Sequence, residues 1–379
     1  MPRLLAGSLG LVAYVFAGYP ALMALLARIR PRPVQHDPRH RPTVSLMVVA
    51  YNEAPVIEQK LLNCAQLDYP AERLEVIVIA DGSDDGSPDR LRDRAGVRLL
   101  FEPERRGKLM AMDRGARHAK HEILVFSDAN NLYSPDALLE LVAPFADPAV
   151  GVVTGRKAIA SDTGRPLDET ESLYWRYESQ IKAWENVTGS VTGVAGEILA
   201  FRRAAYPNLP AGILNDDFVQ AMTAAANGWR VAYAPRAISL ERASATIEDE
   251  ALRRARLVTG RLQALSHVLG PLAARNPQLA WQVVSHKGLR PLVPGLLLVA
   301  LLSSASAGRR SRWGRVIVAG QAAFAGAALA GWRGERTGRR HRLTHLPFYF
   351  VRMNIATVRG IRDFAAGRRE AVWQRVERG

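Results

Sequence analysis

From Leu4 to Ala27 the chain runs 24 residues without a charged side chain. As a helix rising about 1.5 Å per residue, that run crosses the ~30 Å hydrocarbon core of a bilayer. A cleaved signal peptide is the alternative, but its basic flank should come before the apolar run. Here only Arg3 precedes it, while Arg28, Arg30 and Arg32 follow. The run is also long for the apolar part of such a peptide. Residues 1–30 are therefore read as an N-terminal transmembrane helix. The basic cluster after it places the next domain in the cytoplasm, at the inner (plasma) membrane of the cell. Residues 31–42, proline-rich, read as a linker.

The charge distribution supports the membrane reading. The chain carries 51 Lys and Arg against 36 Asp and Glu, a net charge of +15. From Ala251 onward there are 23 basic and 4 acidic residues, so the first 250 residues are slightly acidic. A basic region suits nucleic acid or an anionic membrane face. Apolar stretches interleaved with the charge favour the membrane, and no nucleic-acid partner is expected. Pro291–Ala307 and Val316–Trp332 are each 17 residues without charge, short for a span. Residues 271–345 are accordingly expected to form a membrane hairpin or a re-entrant region. A two-span hairpin would put Arg309, Arg310, Arg312 and Arg315 on the unfavoured side. Residues 346–379 mix aromatics with Arg352, Arg359, Arg362, Arg368 and Arg369, and read as an amphipathic interfacial tail. A fourth span is the alternative. The single cysteine, Cys64, excludes a disulfide framework and a cysteine-based zinc site.

Between residues 43 and 250 short apolar runs alternate with polar, helix-compatible segments. Val44–Ala50, Glu75–Ala80, Val97–Phe101 and Ile123–Ser127 are rich in Val, Ile and Leu. Ala54–Gln66, Ser87–Ala95 and Lys108–Lys120 separate them. This rhythm predicts an α/β domain with a mostly parallel sheet, whose ligands bind at the carboxyl ends of the strands. Three loops lie there. Tyr51-Asn52-Glu53 follows the first strand. Asp81-Gly82-Ser83-Asp84-Asp85-Gly86 follows the second, with carboxylates that can accept from a base or a ribose hydroxyl and glycines that permit tight turns. Asp128-Ala129-Asn130 offers two oxygen side chains at i and i+2, a pattern that suits a hard divalent cation. Further on, Asn215-Asp216-Asp217 opens a helical stretch, and Arg253-Arg254-Ala255-Arg256 is either a solvated basic face or a pyrophosphate clamp. Taken singly, each of these is compatible with an ordinary turn, cap or surface.

In this order and spacing, the segments resemble the family 2 inverting glycosyltransferases, including the membrane-anchored cellulose-synthase-like and exopolysaccharide members. The likeness covers about residues 40–270. It implies a GT-A-like, Rossmann-type nucleotide-sugar domain over residues 43–270. It also implies donor-binding roles for Tyr51, Asn52, Glu53, Asp81, Lys108, Asp128, Arg254 and Arg256. Asp128 and Asn130 match the metal-binding D-x-D motif, with asparagine replacing the second aspartate, and imply Mg²⁺ or Mn²⁺. Asp216-Asp217 matches the acidic pair whose last member is the catalytic base. Gly193–Glu197 followed by Phe201-Arg202-Arg203 resembles the acceptor-side strand and assigns Glu197 to the acceptor. Arg253–Leu257 occupies the place of a Q-x-x-R-W motif, so Leu257 stands where an acceptor-stacking tryptophan would be. A leucine lacks the flat face on which a sugar stacks. The expected activity is therefore transfer of a sugar from a nucleotide donor, with UDP the expected nucleotide, to a membrane-embedded lipid or glycan acceptor, giving a β-linkage. A processive polysaccharide synthase that grips its chain through Trp175, Tyr177 or Trp184 is the alternative within the family. A non-catalytic membrane adaptor is the alternative outside it. A nucleotidyltransferase is disfavoured, because Asn52-Glu53-Ala54-Pro55 stands where a glycine- and lysine-rich phosphate loop would be needed.

Overall fold

Among the described residues eight strands form one sheet: β1 (Val44–Ala50), β2 (Leu74–Asp81), β3 (Val97–Glu102), β4 (Ile123–Asp128), β5 (Leu132–Tyr133), β6 (Val150–Ala160), β7 (Leu199–Arg202) and β8 (Arg230–Arg242). They are seen in a computed structural model that describes residues 2–160, 166–242, 246–308, 311–339 and 341–368. The spatial order is β3-β2-β1-β4-β7-β6-β8-β5. The four strands expected from the apolar runs are parallel neighbours. The second half of the sheet departs from the parallel pattern. β7 runs antiparallel to both β4 and β6, and β5 antiparallel to β8. Only four residues long, β7 hydrogen-bonds to a strand on each side, and Leu199, Ala200 and Phe201 are fully buried.

Side chains on a strand alternate between the two faces of a sheet. Met47, Ile77, Ile79 and Phe126 therefore enter one apolar core, and Leu46, Val48, Val78 and Val125 the other. The parallel register levels the strand ends: Ala50 stands beside Ala80, and Val49 beside Asp128. Tyr51, Asp81 and Asp128 therefore emerge at one rim.

Beyond the sheet the chain is helical. Ile247–Arg275 is a single helix of 29 residues, opened by Thr246, whose hydroxyl accepts from the Asp249 amide at 3.1 Å. The helix Arg342–Ala365 lies against it so closely that a methyl group on Gly360 would come 2.4 Å from the Ala255 carbonyl oxygen. That helix buries Phe348, Tyr349 and Met353 and leaves Leu346, Ile355 and Val358 exposed. Among the described residues three helices are long and apolar enough to cross a membrane: Arg3–Ile29, Pro277–Ser306 and Arg312–Thr337. The first packs against Val293–Gly308, and that segment packs against Arg312–Thr337. Within the second, a wide turn at Val284–Gly288 and a tight one at Arg290–Leu292 interrupt the α-helix. Arg309, Arg310 and residues 369–379, including Arg369, lie outside the described residues.

The interrupted helix carries buried charge. Glu178, on the helix Pro166–Thr188, meets Arg290 Nη1 at 2.5 Å, Lys287 Nζ at 3.0 Å and His286 Nε2 at 3.4 Å. Two turns of that helix further on, Glu185 accepts from the Tyr19 hydroxyl at 2.5 Å and from the Thr192 amide at 2.8 Å, and it pairs with His286 Nδ1 at 2.8 Å. This cluster ties two apolar helices to the sheet domain. Tyr177 and Trp184, considered above as sugar platforms, pack instead with Tyr19 and Met23 of the N-terminal helix. Trp175 lies beneath Lys157 Nζ, 5.1 Å from its ring centre.

Candidate active site

The strand ends at the common rim enclose a cleft of about 600 Å³, lined among others by Tyr51, Glu53, Asp81, Lys108, Asp128 and Asn130. Six of the residues singled out in the sequence thus share one wall. Asn52 joins the rim in a left-handed conformation, φ +54°. That conformation strains most side chains, but asparagine tolerates it. It is held there because its amide side chain exchanges two hydrogen bonds with Asp84, donating to Asp84 Oδ1 at 2.8 Å and accepting from the Asp84 amide at 3.0 Å.

Asp81 is almost fully buried. Its carboxylate accepts from the Arg106 amide at 3.2 Å and from the Gly107 amide at 2.7 Å. It therefore fixes the basic loop Arg105–Lys108 over the cleft while presenting an edge to it. Gly82 makes this possible. Its φ is +70°, and a methyl group there would lie 2.8 Å from the Arg105 amide nitrogen. Arg105 then lies flat over the Tyr51 ring, its guanidinium carbon 3.4 Å from the ring centre.

Lys108, the first residue of the helix Lys108–His118, donates to Asp128 Oδ1 at 2.7 Å. Burial alone would push its pKa down, but Asp128, Asp216 and Asp217 outweigh burial and hold the ammonium charged. The acidic pair opens the helix Asp216–Ala226. Burial raises the pKa of both carboxyls, and for Asp217 the neighbouring Asp216 adds to the effect, taking it to about 7. Asp217 Oδ1 accepts from the Phe218 amide at 2.7 Å. Its carboxylate rests on Gly196, where a methyl group would come 3.0 Å from Oδ2. Glu197 follows, with Lys157 Nζ 3.5 Å from its Oε1, and Lys157 also pairs with Glu241.

The two arginines assigned to the donor separate. Arg256 faces the cleft: burial and Arg253 lower its pKa, while Asp216 and Asp128 act to raise it. Arg254 points the other way, over the Tyr174 ring at 5.3 Å, and lines a second cavity on the membrane side. Leu257 is half-buried on the same helix. Gly260, one turn on from Leu257, is a close-packing point. A methyl group there would meet Leu214 Cβ at 3.0 Å and Asn215 Cβ at 3.3 Å, in the segment that launches the acidic pair.

Divalent-cation chemistry fits this site in part. Asn130 Oδ1 and Asp216 Oδ2 are buried and accept no hydrogen bond, so oxygen lone pairs await a partner beside Asp128. Among the described residues no three His, Cys, Asp or Glu side chains converge on one point. The chain thus supplies part of a coordination shell and leaves the rest to ligand oxygens.

Three supporting residues escape sequence reasoning. Lys60 is fully buried, and its ammonium donates to the Asn131 carbonyl oxygen at 2.9 Å and to Asn131 Oδ1 at 3.2 Å. Burial pushes its pKa down to about 8. Asn131 in turn donates to the Glu197 carbonyl oxygen at 3.0 Å, linking the Asp128–Asn130 loop to the Gly196–Glu197 loop. Arg105 could have been suspected from the basic run Arg105-Arg106-Gly107-Lys108. Lys60, in an amphipathic helix, gives no such signal.

Residues 45–209 match the family model described as glycosyl transferase family 2. Among curated proteins, a poly-β-1,6-N-acetyl-D-glucosamine synthase of Staphylococcus aureus is 25% identical over 203 residues, 52% of this chain and 48% of that protein. The corresponding synthase of Staphylococcus epidermidis is 23% identical over the same length. The chain thus spans about half the length of the curated relatives it matches. Among solved structures, a mannosyltransferase from Pyrobaculum calidifontis, in complex with GDP-Man and Mn²⁺, superposes with a TM-score of 0.68 at 29% identity, covering 94% of this chain and 99% of the other.

Proposed function

We propose, from the match of residues 45–209 to the family model described as glycosyl transferase family 2, that the protein is a membrane-attached, metal-dependent, inverting glycosyltransferase. It takes its sugar from a nucleotide donor and passes it to a membrane-embedded lipid or glycan acceptor. The observation that carries the reading is the convergence of Asp81, Lys108, Asp128 and Asn130 on one cleft, together with the electrostatic reach of Asp216 and Asp217 to Lys108.

The nucleotide lies along Tyr51–Glu53 and Asp81, and its diphosphate is neutralised by Lys108 and Arg256. Asp217 removes the proton of the acceptor hydroxyl. A carboxyl with a pKa near 7 is a stronger base than an ordinary aspartate, yet still ionised in half or more of the molecules at neutral pH. Gly196 lets Asp217 sit tight against the acceptor-side loop, and Glu197 borders the acceptor. Asp128 and Asn130 would hold Mg²⁺ or Mn²⁺, which as a Lewis acid stabilises a departing diphosphate. The GDP-Man and Mn²⁺ in the structurally similar mannosyltransferase support a nucleotide-sugar donor and a divalent ion. The three apolar helices support attachment to the inner membrane, with the sheet domain in the cytoplasm.

A second reading, processive synthesis of a polysaccharide, is favoured by the names of the curated relatives. The three apolar helices among the described residues are few to enclose a polymer channel, so addition of one or a few sugars is preferred. Purified protein in detergent, offered a panel of UDP- and GDP-sugars with release of free nucleotide as the readout, tests the reading. Metal-dependent release from one donor is expected. No release from any donor, or full activity in excess EDTA, would overturn the activity or the metal requirement respectively.

A further inference from the structure

Beside the catalytic carboxylates lies an ion triad that the donor side of the cleft does not use. Lys157, near the end of β6, stands between two carboxylates: its Nζ is 3.5 Å from Glu197 Oε1 and pairs with Glu241 of β8. The parallel register sets Lys157 beside Ser239, so Lys157 and Glu241, two residues further along, share one face of the sheet. The triad is dry. The side chains of Lys157 and Glu241 are 8% and 2% exposed, and the Trp175 ring covers the ammonium at 5.1 Å. An ammonium this deeply buried stays charged only because carboxylates face it.

Glu197 is fixed at both ends. Its carbonyl oxygen accepts from Asn131 Nδ2 at 3.0 Å and from the Tyr133 hydroxyl at 2.9 Å, while Lys157 holds its carboxylate. The residue before it, Gly196, touches the Asp217 carboxylate, so Glu197 stands next to the base. Its charge reaches that base: Asp216 and Glu197 push the Asp217 carboxyl up, and Lys108 pulls it down. Lys108 is hydrogen-bonded to Asp128 on the donor side, and Lys157 is engaged by Glu197 and Glu241. The wall that faces an acceptor therefore presents carboxylate, from Asp217 and Glu197, with its nearest ammonium already paired.

We propose that Glu197 determines acceptor specificity and that Lys157 is its positioning residue, the pair selecting the neutral, hydroxyl-bearing sugar end of a glycan and rejecting a phosphate. One sugar hydroxyl donates to Asp217 and a neighbouring hydroxyl donates to Glu197, which tethers the ring in the attacking orientation. In the transfer step the acceptor oxygen bonds to the anomeric carbon of the donor sugar and its proton passes to Asp217. The bond from that carbon to the diphosphate breaks, and the electron pair leaves on the diphosphate. A phosphate monoester, with a second pKa of about 6, carries close to two negative charges and an attacking oxygen already without a proton. It would derive no benefit from a base and would be repelled by both carboxylates. The inference rests on the glycosyltransferase reading above and narrows its acceptor. The sugar end belongs to a lipid-linked or a free glycan, which share this chemistry.

The test offers the full chain, purified in lauryl dimethylamine oxide, a panel of methyl and octyl β-D-glycosides and, separately, farnesyl phosphate. The UDP- and GDP-sugar panel supplies the donor, and mass spectrometry reads the product on each acceptor. Products are expected on glycosides, at least about tenfold above any on farnesyl phosphate, the scale of one hydrogen bond to a charged group. Preference for the octyl arm assigns the sugar end to a lipid-linked glycan, and equal use of both arms to a free one; either supports the proposal. Glu197→Gln keeps the shape and removes the charge. It should raise the acceptor KM by about tenfold and leave the donor KM within a factor of two. Lys157→Met should split the two constants in the same way, and Lys157→Arg should restore most of the loss. A merely structural Lys157 would lower the melting temperature in Lys157→Met without moving the acceptor KM, and that result overturns its role. If Lys157→Met does not fold, Glu197→Gln and Lys157→Arg carry the test. An unchanged acceptor KM in Glu197→Gln overturns the proposal, as does use of farnesyl phosphate equal to or above that of every glycoside. Donor turnover with no glycoside product defeats this inference alone. No nucleotide release from any donor defeats the transferase reading, and this inference with it.

Discussion

Two charge clusters among the described residues, one half-buried at the cleft and one buried on the membrane side, are balanced in opposite senses. At the cleft, Asp128, Asp216 and Asp217 gather round Lys108, and Asp217 is driven up to about 7. Beneath the membrane side of the sheet domain, Glu178 is met by Arg290, Lys287 and His286, which together overcome its burial and hold its carboxyl well below the usual range. An excess of carboxylate makes a base and leaves lone pairs for a cation. A carboxylate surrounded by cations is chemically inert and serves to join helices. Substitutions in the two clusters should therefore fail in different ways, one in rate and the other in stability.

The largest effect is expected from Asp217→Asn, which should keep donor binding and lower transfer by roughly 10²–10⁴-fold. The wild-type rate should also rise with pH. A base of pKa about 7 is ionised in roughly a tenth of molecules at pH 6 and nine tenths at pH 8, so the rate grows by nearly tenfold across that window and then levels. The asparagine variant should lose this ascending limb. Near wild-type turnover would move the role of base to Asp216.

In the other cluster, Glu178→Gln should leave Arg290 and Lys287 without their shared carboxylate. Removing one partner of a buried ion pair destabilises by about 3–5 kcal/mol. Thermal unfolding in detergent should report that loss, while the molecules that remain folded keep their affinity for donor. A variant with wild-type melting and reduced donor affinity would mean that the two clusters are one site.

Much of the cleft was legible because its residues are short-range neighbours of strand ends. Val44–Ala50 reads as a strand from its own composition, parallel pairing then sets Tyr51 beside Asp81 and Asp128, and the acidic or amide side chains follow at once. The Glu178 cluster was illegible for the converse reason. Its members are more than a hundred residues apart, on segments that look like a polar helix and an apolar span. Nor does a pattern in the sequence separate Arg254 from Arg256. Two positions along a helix is a rotation of about 200°, so adjacent basic residues serve opposite faces. β7 shows only through the resemblance at Phe201-Arg202 and not in its own pattern, because four residues carry too little periodicity, and its place is set by partners on both sides.

Lys60 offers a smaller and sharper test of how the cleft is supported. Lys60→Met preserves the buried volume but leaves the Asn131 carbonyl oxygen without this donor, costing about 1–3 kcal/mol. The Asp128–Asn130 loop should loosen with it. The expected signature is a weaker apparent metal affinity with little change in the pH limit set by Asp217. An unchanged metal titration would show that Lys60 only fills space.

The smallest effect is expected at Asn130. Its Oδ1 is buried with no hydrogen-bond partner, so the position already presents an oxygen to the cleft. Asn130→Asp keeps that oxygen and adds a negative charge next to Asp128, within a group that Lys108 and Arg256 only partly neutralise. Two consequences of opposite sign follow. With Mg²⁺ or Mn²⁺ present, the added charge strengthens the attraction to the cation, and the concentration needed for half-maximal activity should fall by up to about tenfold, with turnover unchanged within a factor of a few. In EDTA the same charge faces other carboxylates, and the melting temperature should drop, by the equivalent of about 1 kcal/mol or less for a partly solvated pair. A metal titration and a melting curve with and without EDTA read both. A variant that gains no metal affinity while losing stability in either condition would mean that Asn130 does not face the cation, and the metal site would then have to be rebuilt from Asp128 and Asp216.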